Sequence, residues 1–168
     1  MNSEFKYILE NVYTKCKFSI SSLAKEAESD EYSACTYRLN TFSVKFRVAK
    51  ITPKKIGQFV TLWKRNTEGV TEPYAISDSI DLVVICVRDN QNFGQFVFPK
   101  SALVKHGIFS TPTKDGKRGF RVYPPWDKTN NTQAKKTQQW QVDYFLDLAS
   151  KNPLNIERAK ELYKKISR

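Results

Sequence analysis

Apolar residues recur along this chain first at helical and then at strand spacing. Phe5, Ile8, Leu9 and Val12 fall three or four apart within residues 3–14, which predicts an N-terminal helix. Residues 21–28, after a polar run, are expected to form a second short helix. From Thr36 the period changes to two. Tyr37-Arg38-Leu39, a turn at Asn40-Thr41, and Val44-Lys45-Phe46-Arg47-Val48 read as a hairpin. Its pattern turns Val44, Phe46 and Val48 toward a core and Lys45 and Arg47 outward. Residues 59–64 and 81–87 are apolar on both faces and read as buried central strands. Residues 93–98 form another strand, stopped by Pro99, followed by a short helix over 101–105 and a strand over 119–123. Pro124-Pro125-Trp126-Asp127 makes a rigid turn. Thr137, Trp140, Tyr144, Phe145 and Leu148 mark a long amphipathic helix, and Ile156, Ala159, Leu162, Tyr163 and Ile166 a last one over 153–168. The fold class is therefore mixed α/β (α+β), with a helical C-terminal quarter and a single domain over 1–168. Gly57-Gln58-Phe59-Val60 recurs as Gly94-Gln95-Phe96-Val97, too short an echo to mark a duplicated unit.

Composition narrows the class without naming a function. A hydrophobic share of 40% in 168 residues supplies a real core, since a domain of this length buries roughly 70% of its unfolded surface. The longest apolar run, 82–87, is far short of a membrane span. No basic start followed by an apolar stretch and a cleavage site is present, so the chain is expected in the cytoplasm. Cys16, Cys35 and Cys86 are odd in number and widely spaced, which argues against a disulfide framework.

Charge changes the picture more. The net charge is +11, from 28 Lys+Arg and 17 Asp+Glu, and it is segregated. Residues 38–65 carry Arg38, Lys45, Arg47, Lys50, Lys54, Lys55, Lys64 and Arg65 and no acid. Residues 66–99 set Arg88 against Glu68, Glu72, Asp78, Asp81 and Asp89. Residues 100–141 then hold nine basic side chains against Asp115 and Asp127. Two basic blocks flank an acidic middle, and clusters of one sign point to an anionic partner, most commonly nucleic acid.

Three long motifs carry a resemblance. They are Ala49-Lys50-Ile51-Thr52-Pro53-Lys54-Lys55-Ile56-Gly57-Gln58-Phe59-Val60-Thr61-Leu62-Trp63-Lys64-Arg65, then Phe93-Gly94-Gln95-Phe96-Val97-Phe98-Pro99-Lys100, then Arg121-Val122-Tyr123-Pro124-Pro125-Trp126-Asp127-Lys128. In this order they resemble the bacterial MepB-like family over about 28–148, leaving the last helix outside the match. The resemblance implies an α/β fold of restriction-endonuclease-like architecture, with nucleic acid as partner. Such a core places an Asp at the start of one strand and a Glu-or-Asp, any residue, Lys triplet on the next, where the carboxylates hold Mg²⁺ or Mn²⁺. Laid on that plan, Asp81 supplies the first carboxylate and metal ligand. Gln95 stands for the second and Val97 for the lysine, with Lys50 or Lys100 as a relocated lysine. The plain alternatives are a strand-start cap for Asp81 and a lysine lying along a sheet edge for Lys50.

Other chemistries lack support. His106 is the sole histidine, with no paired cysteines for zinc, and phosphate-cradling glycine patterns are absent. Aromatics interleaved with cations around Trp63 and over 120–128 suit unpaired bases, although Trp63 and Trp140 also fit core positions. The expected activity is non-specific, single-stranded nucleic-acid binding without cofactor. Its contacts would be Arg38, Lys45, Arg47, Lys50, Lys54, Lys55, Lys117, Arg118, Arg121, Trp126 and Lys128. The alternatives are a metal-dependent nuclease using Asp81, Gln95 and Lys50, or a protein-interaction module docking an acidic partner.

Overall fold

A computed structural model describes residues 1–149 and 151–164; Ile166, assigned above to the last helix, lies outside them. The architecture is mixed α/β, built on a six-stranded mixed sheet. In spatial order its strands are β1 (Ile20–Lys25), β2 (Cys35–Leu39), β3 (Phe42–Val48), β8 (Leu82–Asp89), β9 (Asn92–Pro99) and β11 (Phe145–Asp147). Neighbours are antiparallel except β3 and β8, which run parallel with Val44 opposite Leu82 and Val48 opposite Cys86. A three-stranded sheet joins β4 (Lys50–Ile51), β5 (Gln58–Thr61) and β10 (Gly119–Val122), and β6 (Trp63–Arg65) pairs with β7 (Thr71–Pro73). The helices are α1 (Ser3–Ile8), α2 (Lys100–Lys105), α3 (Thr132–Gln141) and α4 (Ile156–Lys164).

Both faces of the large sheet are covered, as its doubly apolar central strands require. On one face Val44, Phe46, Leu82, Val84 and Val97 pack under Phe5, Ile8, Val12, Leu162 and Tyr163 from the two terminal helical segments. On the other, Val83, Ile85, Val87, Phe96 and Phe98 meet Val60, Leu62, Leu103, Phe120 and Val122. Asn2 caps α1, its side chain accepting from the N–H groups of Glu4 and Phe5, and the helix continues as one π-helical turn over Leu9–Tyr13.

Three expectations are corrected. Residues 21–28 are not a helix: Ile20–Lys25 is an edge strand paired with β2, bulged between Ser21 and Ala24. Its side chains are largely exposed, so burial never imprinted a strand pattern on it. Residues 59–64 are not a central strand of the main sheet but divide between β5 and β6. The helix expected to run to Leu148 ends at Gln141. After a 3₁₀ turn, Phe145–Asp147 becomes β11, with Phe145 opposite Phe96. The two Gly-Gln echoes share a local role: a Cβ on Gly57 would lie 2.7 Å from the Tyr123 ring and one on Gly94 2.2 Å from the Phe145 ring. Each glycine makes room for a ring and is followed by a buried glutamine.

Candidate nucleic-acid interface

The first basic block is largely neutralised by folding. Arg47 is only 1% exposed, not outward as its alternation suggests, because the second face of β3 is covered as well. It donates to Glu26 at 2.5 Å and to the carbonyls of Phe46 and Thr61. Lys45 pairs with the other oxygen of Glu26 at 2.5 Å and lies 5.1 Å from the centre of the Tyr74 ring. Lys64 pairs with Asp78 at 2.6 Å, and Arg65 with Glu28 at 2.7 Å. Continued past Val48, the alternation of β3 would turn Lys50 inward. The chain leaves the main sheet at Ala49, however, and Lys50 is exposed, 3.2 Å from Glu31 and over the Tyr32 ring. Arg38 is exposed and donates to the Thr41 carbonyl. In this block Arg38, Lys54 and Lys55 alone make no ion pair among the described residues.

The second block is treated differently. None of Lys100, Lys105, Lys114, Lys117, Arg118, Arg121, Lys128, Lys135 and Lys136 makes an ion pair among the described residues. Two adjoining clefts between α3 and the segment 106–121 are lined by Lys117, His106 and Trp140, the inner one also by Arg121 and the outer by Lys136. His106 stacks on Trp140 with ring centres 3.9 Å apart and planes 3° from parallel. Burial first, then neighbouring Lys105, lowers the pKa of His106, favouring a neutral ring.

Arg121 joins the two blocks. Its guanidinium donates to the hydroxyl of Thr52 and the carbonyls of Ile56 and Gly57. The loop bearing Lys54 and Lys55 is thereby tied to β10. The following turn is tied to α3: Gln138 donates to the Pro124 and Asp127 carbonyls, and Gln141 bridges Arg121 and Tyr123. Lys55 and Lys128 consequently line one cleft. Arg118 donates to the Thr71 carbonyl. Trp126 is half-buried with its ring edge-on to Phe145 and its Nε1 buried without a partner among the described residues. Trp140 packs against the core as its helical spacing predicts, 5.3 Å from the Phe98 ring, and its half-buried indole also lines both basic clefts.

Asp81, Gln95 and Lys50 are not brought together. The Asp81 carboxylate accepts from the Ser43 N–H at 2.8 Å, ahead of the first residue of β8. Gln95 lies opposite Cys86, five residues and roughly 16 Å farther along the strand. It is fully buried and donates to the Tyr163 hydroxyl at 2.9 Å. Lys50 follows Ala49, whose N–H donates to the Cys86 carbonyl, so it lies toward the far end of β8 from Asp81. Lys100 does lie beside Asp81, its N–H donating to that residue's carbonyl, but its ammonium is held by the carbonyls of Ile76 and Asp78. Among the described residues no group of three or more His, Cys, Asp or Glu side chains is placed to hold a metal. Nor is any described helix long and apolar enough to cross a membrane.

Sequence reasoning missed His106, Trp140 and Lys136 as cleft residues. Only the count of cations over 100–141 hinted at the last, because local spacing places a tryptophan on the core side of a helix without showing that its edge also lines a cleft.

Comparison with known proteins agrees with the family resemblance. The family described as MepB-like matches residues 26–147. The crystal structure of MepB is 36% identical, with a TM-score of 0.76, over 88% of this chain and 97% of that one. A bacterial homing endonuclease shows a remote likeness, 14% identical with a TM-score of 0.47, over 83% of this chain and 86% of that one. No curated protein gives a significant match.

Proposed function

The chain belongs to the MepB-like family, and from that premise we propose that it binds unpaired nucleic acid without sequence preference. The observation that carries this reading is the contrast between the two basic blocks. Five of the eight cations over 38–65 are engaged by carboxylates, whereas all nine over 100–141 make no ion pair among the described residues. Lys117, Arg121 and Lys136 of these share the two adjoining clefts, with Asp143 the one acid lining the outer; cations without carboxylate partners repel one another, and a polyanion relieves that repulsion by releasing its counterions. Lys117 and Lys136 flank a cleft whose wall carries the His106–Trp140 stack. Cations tracking a backbone beside aromatic faces are the ordinary means of holding single strands. Lys54, Lys55 and Lys128 extend the basic surface along the loop and turn that Arg121 ties together. In this reading Arg38, Lys45, Arg47 and Lys50 contribute little, since all but Arg38 are ion-paired. The sheet is then a restriction-endonuclease-like core without the metal-binding triplet, since Gln95 faces Tyr163 and Asp81 caps Ser43.

The test is fluorescence anisotropy of a labelled single-stranded oligonucleotide across a salt series, in EDTA. The logarithm of affinity is expected to fall linearly with the logarithm of salt concentration. Lys117→Ala with Lys136→Ala should flatten that slope by about 1.4, or 0.7 per lost contact. Absence of binding at about 50 mM salt, where counterion release helps most, overturns the reading.

A further inference from the structure

Asp89 ends β8 and Asp127 closes the Pro-Pro turn, and with Gln58, Lys55 and Lys128 they line one cleft. Backbone contacts bring the three oxygen-bearing side chains together from separate elements. The Gln58 Nε2 donates to the Arg88 carbonyl at 3.2 Å, setting its amide beside Asp89. Val122 pairs with Gln58 across β10 and β5, and the turn that follows carries Asp127 to the same cleft. Among the described residues Asp89 accepts a single side-chain donor, the Asn90 amide at 3.2 Å.

Gln58 is 2% exposed and its Oε1 has no donor among the described residues. A buried carbonyl oxygen left unpartnered costs about 1–3 kcal/mol. Burial, then the charge of Asp89, pushes the Asp127 carboxyl up, against the pull of the Gly57 N–H. Neither Lys55 nor Lys128 reaches a carboxylate closely enough to form an ion pair among the described residues. A hard divalent cation would give all three oxygens a partner and cancel the carboxylate repulsion.

We infer that this cleft is a divalent-cation site, binding Mg²⁺ or Mn²⁺ through oxygens of Asp89, Asp127 and Gln58, with water completing the coordination. It is separate from the set Asp81, Gln95 and Lys50, and it stands independently of the nucleic-acid reading. Lys55 and Lys128 at its walls oppose the cation's charge. Affinity is therefore expected among the weaker oxygen-ligand sites, about 10⁻⁴ to 10⁻³ M.

Titrating the whole chain with Mn²⁺, with free Mn²⁺ followed by electron paramagnetic resonance, should show one ion per chain. Asp127→Asn and Asp89→Asn should each weaken binding by about tenfold or more, because ligand charge sets affinity. Mn²⁺ should raise the melting temperature of the parent protein and leave that of Asp127→Asn unchanged. Without metal, Asp127→Asn should melt at or above the parent at neutral pH. The folded-state pKa of Asp127 is raised, so its ionised form costs stability there, and asparagine removes that cost. No binding up to about 1 mM Mn²⁺, or binding by Asp127→Asn or Asp89→Asn equal to that of the parent, would overturn the site. The oligonucleotide assay in EDTA reports on nucleic acid separately, so either idea can fail without the other.

Discussion

Gln95 stands where a restriction-endonuclease-like plan would place a second carboxylate, and its surroundings give it different work. Its amide donates to the Tyr163 hydroxyl, which bonds Tyr13 at 3.1 Å, which in turn bonds Tyr37 at 2.5 Å. Burial, before any other cause, pushes all three phenols well above their ordinary values. The same burial would penalise a carboxylate. Gln95→Glu is therefore expected to lower unfolding stability by about 3 kcal/mol or more at neutral pH, read by urea titration. A variant as stable as the parent would mean that Gln95 lies in a hydrated site. The quoted motif identified this glutamine, but the hydroxyl it serves is 68 residues away in sequence. Arg47 was misplaced for a related reason. Alternation separates the two faces of a strand without saying whether the second face is wet, and here both are covered.

Elements were legible where their own burial patterned them. The β2–β3 hairpin, β8, β9, α2, β10 and the last helix all carry apolar spacing that matches the side on which they pack. β1 does not, because an edge strand exposing nearly every side chain leaves no periodicity. β11 was hidden inside a helical pattern, since Phe145 and Leu148 suit a helix as well as the sheet edge they reach after the chain turns at Val142–Tyr144. Gly94 makes that edge possible, as an added Cβ would lie 2.2 Å from the Phe145 ring and 2.7 Å from the Leu146 carbonyl. Gly94→Ala is accordingly expected to cost about 1–3 kcal/mol through overpacking. It should also speed amide hydrogen exchange across 145–147 while leaving β2–β3 protected. Uniform loosening of the whole sheet would argue against this local origin.

At the scale of the whole molecule, two blocks of like charge meet different ends. Glu26 holds both Lys45 and Arg47, so Glu26→Gln leaves a buried guanidinium uncompensated and is expected to cost about 3–5 kcal/mol. Oligonucleotide affinity of the folded protein should stay within about twofold, since surface changes away from the second block remove no phosphate contact. Lys117→Ala with Lys136→Ala should do the reverse, lowering affinity with little effect on the urea midpoint. If Glu26→Gln weakened binding as strongly as that pair, the division between the blocks would not hold. By itself the sequence determined the mixed α/β class, most strands, the family and the surplus of positive charge, because each is written in local spacing, motif or composition. Tertiary structure decided which cations keep their charge uncompensated, that Asp81, Gln95 and Lys50 stay apart, and that Gln58, Asp89 and Asp127 share a cleft. Those outcomes depend on pairings between residues distant in sequence, and local spacing does not encode the partners that folding supplies.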